Sequence, residues 1–431
     1  MKILCINPPN SGKSIPEEQY DIQDIKMIFR GEPLALETLA GNLDGHDVAI
    51  TDLKAAPDSL WTDVEQMRPD VVGLTGVACE ANAVLDIARQ LKERVNPVVV
   101  VGGHHASCDP SFFNREEIDY VAAGLGKKSF RELIDAIQAG TVADGVPGVA
   151  KTDPDGPLRM TPRRFTADDL VDDRPPRYDL VVQHRDQYVM SGVGGKIGFV
   201  ATAFGCTHRC AFCAVPNITG GRYLTHSVDA VMRDIGLLGD IPLIRLTDAN
   251  TFGDAAASEA LGRRIIDSGM TKKFVADVRS DTVVQRPELF ELWKAAGLAT
   301  AVIGFEEITD DRLKGYRKGT ATATNIRAME ILKALGIRII GDFIVSPDYT
   351  PADFDALERF AVSHAIDLPL PSILTPLPGT PLYDDMKDRI TIHDLDYYTF
   401  LNAVVPTRMP EEEFYETYAA LWKRFMALKH G

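Results

Sequence analysis

Three cysteines fall within eight residues, Cys206-Thr-His-Arg-Cys210-Ala-Phe-Cys213. Thiolates at that spacing on one tight loop hold three corners of a [4Fe–4S] cluster and leave the fourth iron without a protein ligand, open to something else. A zinc knuckle needs four Cys or His ligands, and His208, between two of the cysteines, is the local candidate for a fourth. The other three cysteines, Cys5, Cys79 and Cys108, are scattered and read as small buried or rim residues.

The cysteine loop must be held by what precedes and follows it. Phe199-Val-Ala-Thr-Ala-Phe-Gly205 leads into it as a strand, the first of six strand candidates at 198–203, 243–247, 274–278, 300–304, 338–344 and 371–375. Helical stretches at 228–238, 256–267, 287–296, 322–335 and 351–364 separate them, which predicts a partial (β/α)6 barrel. Upstream, continuous apolar runs at 2–6, 48–53, 70–77, 97–102 and 119–123 alternate with helical patterns at 33–43, 59–67, 80–94 and 127–138. Runs of that kind are strands covered on both faces, so residues 1–150 read as a doubly wound parallel sheet of about five strands, with ligands beyond their carboxyl ends. Turn-rich chain at 151–195 reads as a linker, the barrel as 196–385, and 386–431 as a segment whose amphipathic helix, opening at Pro410 and Glu411, covers an open end of the barrel.

Composition narrows the class. The chain has 431 residues with a net charge of −16, 45% hydrophobic and 25% charged, an ordinary globular balance. An acidic surface gives no pull toward phosphate backbones, so nucleic acid is not an expected partner. The start, MKILCINPPN, lacks both parts of a secretory leader, and no run of about 18 apolar residues offers a transmembrane segment. Three lone cysteines beside a tight trio are not a secreted disulfide framework, and the expected location is the cytoplasm.

C-x3-C-x2-C after a strand that opens a β-α series resembles the radical S-adenosylmethionine (SAM) enzymes, over most of the second half of the chain. The resemblance implies that SAM chelates the open iron and is cleaved reductively to methionine and a 5′-deoxyadenosyl radical, which takes hydrogen from an unactivated carbon. It also implies site residues. Phe212 stands at the family's aromatic position near the adenine. Asp248, in Leu246-Thr-Asp-Ala-Asn-Thr-Phe252, faces the SAM ammonium, with Ala249 replacing a second common acid and Asn250 offering itself as substitute. Arg279, in Phe274-Val-Ala-Asp-Val-Arg279-Ser-Asp281, resembles the Arg that grips the SAM carboxylate; the alternative is a rim salt bridge with Asp277 or Asp281. Glu306 of Ile303-Gly-Phe-Glu306-Glu307 and Ser346 of Gly341-Asp-Phe-Ile-Val-Ser346-Pro347 complete the SAM-facing set. The segment Leu374-Thr-Pro-Leu-Pro-Gly-Thr-Pro-Leu-Tyr383 is similar to one frequent in cobalamin-dependent members.

The N-terminal half resembles the cobalamin-binding domain of the B12-dependent radical SAM enzymes. Val101-Gly-Gly-His-His-Ala-Ser-Cys-Asp-Pro110 is similar to that group's Gly-Gly-x-His loop, and Gly73-Leu-Thr-Gly-Val77 and Gly124-Leu-Gly126 fit the same rim. Thr75, Gly102, Gly103, His104, Ser107 and Gly124 are the implied corrinoid contacts, glycines letting backbone approach a flat ligand. The Asp-x-His-x-x-Gly sequence that places a His beneath cobalt is absent, and Gly45-His46-Asp47 precedes a strand instead of following one. A dinucleotide site is disfavoured, because no G-x-G-x-x-G follows the first strand.

The implied activity is C-methylation by adenosyl radical and methylcobalamin, with a flavodoxin- or ferredoxin-type electron donor and a small-molecule substrate. Residues 28–37 and 403–411 look similar to stretches of hopanoid C-3 methylases, which act on a polycyclic lipid. Ring closure without methyl transfer, as in the anaerobic cyclases of tetrapyrrole synthesis, and a non-catalytic iron–sulfur and corrinoid binding module stay open at this level.

Overall fold

The computed structural model describes residues 1–22, 29–141, 145–190 and 193–428; Ile28 of the 28–37 segment and the last three residues fall outside them. Two parallel sheets organise the chain. The first contains β1 (Lys2–Asn7), β2 (Asp47–Asp52), β3 (Val71–Leu74), β4 (Val98–Val101), β5 (Tyr120–Ala122) and β6 (Val149–Lys151), in the order β2-β1-β3-β4-β5-β6. The first five strands are parallel and β6 is antiparallel to β5, an edge strand beyond the five expected. Their near-complete burial, as in Val71, Val72, Val99 and Val101, explains why they read as unbroken apolar runs. Helices α1 (Leu34–Gly41), α2 (Leu60–Met67), α3 (Ala81–Arg94) and α4 (Gly126–Gln138) cover the two faces. The order reverses at β1 and β3, so the crevice lies above their carboxyl ends, where Thr75 and the Gly102–Gly103 pair emerge.

The second sheet runs β7 (Ile197–Val200), β8 (Leu243–Leu246), β9 (Lys273–Val278), β10 (Leu298–Glu306), β11 (Arg338–Val345) and β12 (Leu368–Ile373), each parallel to its neighbour in sequence order. Helices α5 (Val228–Leu237), α6 (Ala255–Asp267), α7 (Pro287–Ala296), α8 (Thr322–Ala334) and α9 (Pro351–Ser363) alternate with the strands, giving the expected partial barrel. Strand β12 begins three residues before the expected 371. Pro369 and Pro371 lie inside it, opposite Gly341 and Phe343, and are tolerated because β12 is an edge with no further neighbour requiring their missing N–H groups.

The connections pack onto both sheets. In the expected linker after β6, Val181 and Tyr188 are buried, the Tyr178 hydroxyl donates to Phe199 O at 2.8 Å, and the Tyr188 hydroxyl donates to Asp52 Oδ2 at 3.0 Å. It straps the first sheet to the first barrel strand. The final helix α10 (Glu411–Leu428) packs against the edge strand β12 and helix α9. Its Tyr418 hydroxyl donates to Pro371 O at 2.8 Å, and the Tyr415 ring stacks on Tyr20 at 5.7 Å. Phe414, Tyr418, Leu421 and Phe425 on one face of α10 join the barrel core.

Candidate active site

The cysteine loop is pinned from three directions. Its lead-in, Ala203–Gly205, pairs antiparallel with Tyr223–Thr225. Gly205 sits at φ +83°, and a Cβ there would lie 2.1 Å from Arg222 O, so only glycine fits this turn. Ala211 N donates to Tyr316 O at 2.8 Å, and Leu382 N donates to Ala211 O at 2.9 Å. Segments after β7, β10 and β12 therefore converge on eight residues of loop. Among the described residues no two cysteines form a disulfide. Among the described residues no three His, Cys, Asp or Glu side chains converge on one ion-sized point.

Burial pushes the Cys210 thiol up and the Cys213 thiol up to about 11, opposed at both by the Lys318 ammonium and at Cys210 also by the Arg279 guanidinium. Iron binding at these thiols must release protons, and two nearby cations favour the thiolate state that results. A trio of soft donors with cations beside it fits an anionic iron–sulfur cluster.

Around that loop the expected SAM-facing residues are assembled, with partners the sequence did not reveal. Asp248 is 2% exposed; its Oδ1 accepts from Thr202 N at 2.7 Å and Ala203 N at 2.8 Å, and its Oδ2 accepts from the Thr202 hydroxyl at 2.6 Å. Its carboxylate thus anchors the approach to the cysteine loop. Asn250 is the residue left with capacity: its Oδ1 is buried without a partner. Arg279 forks onto Asp281 through Nε at 3.0 Å and Nη2 at 2.9 Å, and Nη2 also donates to Lys318 O at 3.0 Å. The geometry is the rim salt bridge; Asp281 lies two residues on, within reach of the fork that would otherwise be directed at SAM. Glu306 holds φ +65°, which is costly for a residue with a side chain, and its Oε1 accepts from Lys318 Nζ at 2.6 Å. Phe212 meets the Tyr316 ring edge to face at 5.9 Å, and the Ser346 hydroxyl oxygen accepts from Asp348 N at 3.2 Å. Buried Ser280 and Thr320 hydroxyls, next to Arg279 and near Lys318 in the chain, lack partners. Such orphaned polar atoms fit a polar nucleoside cofactor.

The residues expected to contact a corrinoid share one cavity. Thr75, Gly102, Gly103, His104, Ser107 and Gly124 line one cavity of about 760 Å³, whose opposite wall is Phe199, Ala201, Arg245 and Thr247 of the barrel. Gly103 is at φ +94°, and a Cβ would lie 2.3 Å from Thr75 Oγ1. Ser107 clasps two rim loops: its hydroxyl donates to Gly103 O at 2.7 Å and accepts from Gly124 N at 2.8 Å. His104 is half-buried on the cavity wall, and burial lowers its pKa. A wide cavity with backbone at its rim is a cradle for a flat, bulky ligand.

Comparison with known proteins agrees with this division. A B12 binding domain matches residues 25–134 and the radical SAM superfamily matches residues 200–361. An uncharacterised methyltransferase of Pyrococcus horikoshii is 31% identical over 401 residues, spanning 89% of this chain and 83% of that protein. The chain belongs to the cobalamin-dependent radical SAM enzymes. The hopanoid C-3 methylase of Methylococcus capsulatus is 28% identical over 440 residues, 99% of this chain and 81% of the relative. The fold of this radical SAM enzyme is similar to that of TsrM from Kitasatospora setae, a radical SAM methyltransferase solved with cobalamin and a [4Fe–4S] cluster (TM-score 0.71, 20% identity, covering 90% of this chain and 74% of that one). It is also similar to the cobalamin-dependent radical enzyme OxsB (TM-score 0.73, 18% identity, 99% and 66%). The enzyme's cofactors are a [4Fe–4S] cluster, SAM and cobalamin. Among the described residues no helix is long and apolar enough to cross a membrane.

Proposed function

We propose that this enzyme methylates an unactivated carbon of a small-molecule substrate. The observation that carries the reading is the cavity shared by the glycine rim and the barrel strands β7 and β8, which sets a corrinoid face against the barrel lumen. Relatives named as methylases that span 89% and 99% of the chain support it. When bound, the three cofactors supply the radical that removes hydrogen and the methyl group that replaces it.

The chain's own part is to hold and orient. Cys206, Cys210 and Cys213 would hold the cluster through three thiolates and leave SAM a place on it. Asp248 fixes the loop that carries them. Asn250, Lys318 and Glu306 would offer acceptor and donor groups to SAM, with Phe212 and Ser346 beside them. Thr75, Gly102, Gly103, His104 and Gly124 seat the corrinoid, and Ser107 holds their loops in register. The cavity's position between the two sheets limits the access of water to it. The reading includes an electron donor of flavodoxin or ferredoxin type and a cytoplasmic location, which the free cysteines support.

Anaerobic reconstitution with iron, sulfide and hydroxocobalamin, followed by SAM and dithionite, tests this. Formation of both S-adenosylhomocysteine and 5′-deoxyadenosine is expected; deoxyadenosine alone would instead favour ring closure, the activity named for relatives 24% identical to this chain. Cys210→Ala should abolish deoxyadenosine while sparing corrinoid uptake.

A further inference from the structure

A second cavity, of about 590 Å³, adjoins the first, and Val77, Glu80 and His104 line both. Its far wall is Leu370 of β12 with Tyr398, Leu401 and Trp422 of the C-terminal segment. Phe400, at its edge, is 46% exposed and holds φ +65°, a costly posture fixed by Ile373 N donating to Phe400 O at 2.7 Å.

Two acids line this largely apolar cavity, Glu80 and Asp342, and they differ in their partners. Asp342 of β11 lines the cavity, and its carboxyl has no hydrogen-bond or ion-pair partner among the described residues. Burial first, then the carboxylates of Glu306 at the end of β10 and Asp277 of β9, push it up to about 8. The cations that oppose this are engaged elsewhere, Arg245 with Asp277 and Lys318 with Glu306. On the facing loops burial lowers the pKa of His104, and that of His105 to about 4, while Glu80 pairs with Lys54. An unpartnered carboxyl facing an apolar space invites a ligand that supplies its missing bond.

We infer that this second cavity is the substrate site, that Asp342 is its polar anchor, and that the occupant is a largely apolar molecule carrying a hydrogen-bond-accepting oxygen. The inference rests on the methyl-transfer reading for the direction in which the cavity faces, toward the corrinoid. It is tested by equilibrium binding of tritiated 5α-cholestan-3-one and of its parent hydrocarbon, 5α-cholestane, to the reconstituted holoenzyme. The ketone should bind about five-fold tighter than the hydrocarbon near pH 6.5, the value of one net hydrogen bond. That preference should fade above about pH 8, where the carboxyl ionises and stops donating. Asp342→Asn, which keeps a donor without a charge, should hold the preference across the range. Asp342→Leu should lose it yet still bind hydrocarbon, and Trp422→Ala should weaken both probes. Ketone preference that survives in Asp342→Leu, or failure of both probes to bind the unaltered enzyme, overturns the inference. SAM cleavage measured on the same samples separates the two readings: absent cleavage with the expected binding defeats methyl transfer and leaves the site standing.

Discussion

Replacing Asp342 by Asn should stabilise the folded protein, and increasingly so as the pH rises. Its carboxyl is pushed from 3.8 up to about 8, so between those values the folded chain keeps a proton that the unfolded chain has released. Stability therefore falls with rising pH across that window, and the loss is complete above the folded pKa. At pH 7 the protonation gap is about 3 units, which at about 1.36 kcal/mol each is a cost of about 4 kcal/mol; at pH 5 it is about 2 kcal/mol and at pH 9 about 6 kcal/mol. Asn has the same shape and no charge to suppress. With 431 residues and an unfolding entropy of about 2.1 cal/mol/K per residue, the midpoint should rise by about 2 °C at pH 5, 4 °C at pH 7 and 6 °C at pH 9. Scanning calorimetry of both proteins under anaerobic conditions at the three pH values reads this directly. A variant no more stable than the parent, or a difference flat with pH, would refute the claim that burial holds this acid neutral.

Three other perturbations address the two cofactor cradles. Gly103→Ala places a methyl 2.3 Å from Thr75 Oγ1 at φ +94°, so it should cost about 1–3 kcal/mol and lower corrinoid uptake at least ten-fold, read from visible absorbance after reconstitution. Asp248→Ala strips acceptors from two buried amides and a hydroxyl; iron and sulfide per chain should fall, with a loss of about 1–3 kcal/mol for each group left unpaired, while corrinoid uptake holds. Lys318→Met leaves Glu306 buried without its ion partner, a change of about 3–5 kcal/mol, and should weaken SAM binding in equilibrium dialysis with cluster absorbance retained.

What could be read from the chain depended on how local each signal was. The thiol trio declares itself within eight residues, and the paired glycines before His104 mark a rim without reference to the rest of the fold. Strand and helix rhythm carried both sheets because parallel strands buried on two faces leave continuous apolar runs. Lys318 was not legible: in Tyr316-Arg-Lys-Gly319 it looks like one more surface cation, and only closure of the barrel sets it against Glu306 and the cysteine loop. Asp281 was one of two partners the sequence offered Arg279, and only the turn after β9 selects it over Asp277. Asp342 left a trace that could have been followed, a lone acid inside the apolar strand Arg338–Val345. The prolines of β12 concealed its start, since proline ordinarily marks where a strand begins.

The strap formed by Tyr178, Val181 and Tyr188 has a kinetic consequence. Because it bonds to the first sheet at one end and to the first barrel strand at the other, it ties together the two walls of the larger cavity. Local unfastening of this segment should therefore shorten the residence time of a corrinoid held between those walls.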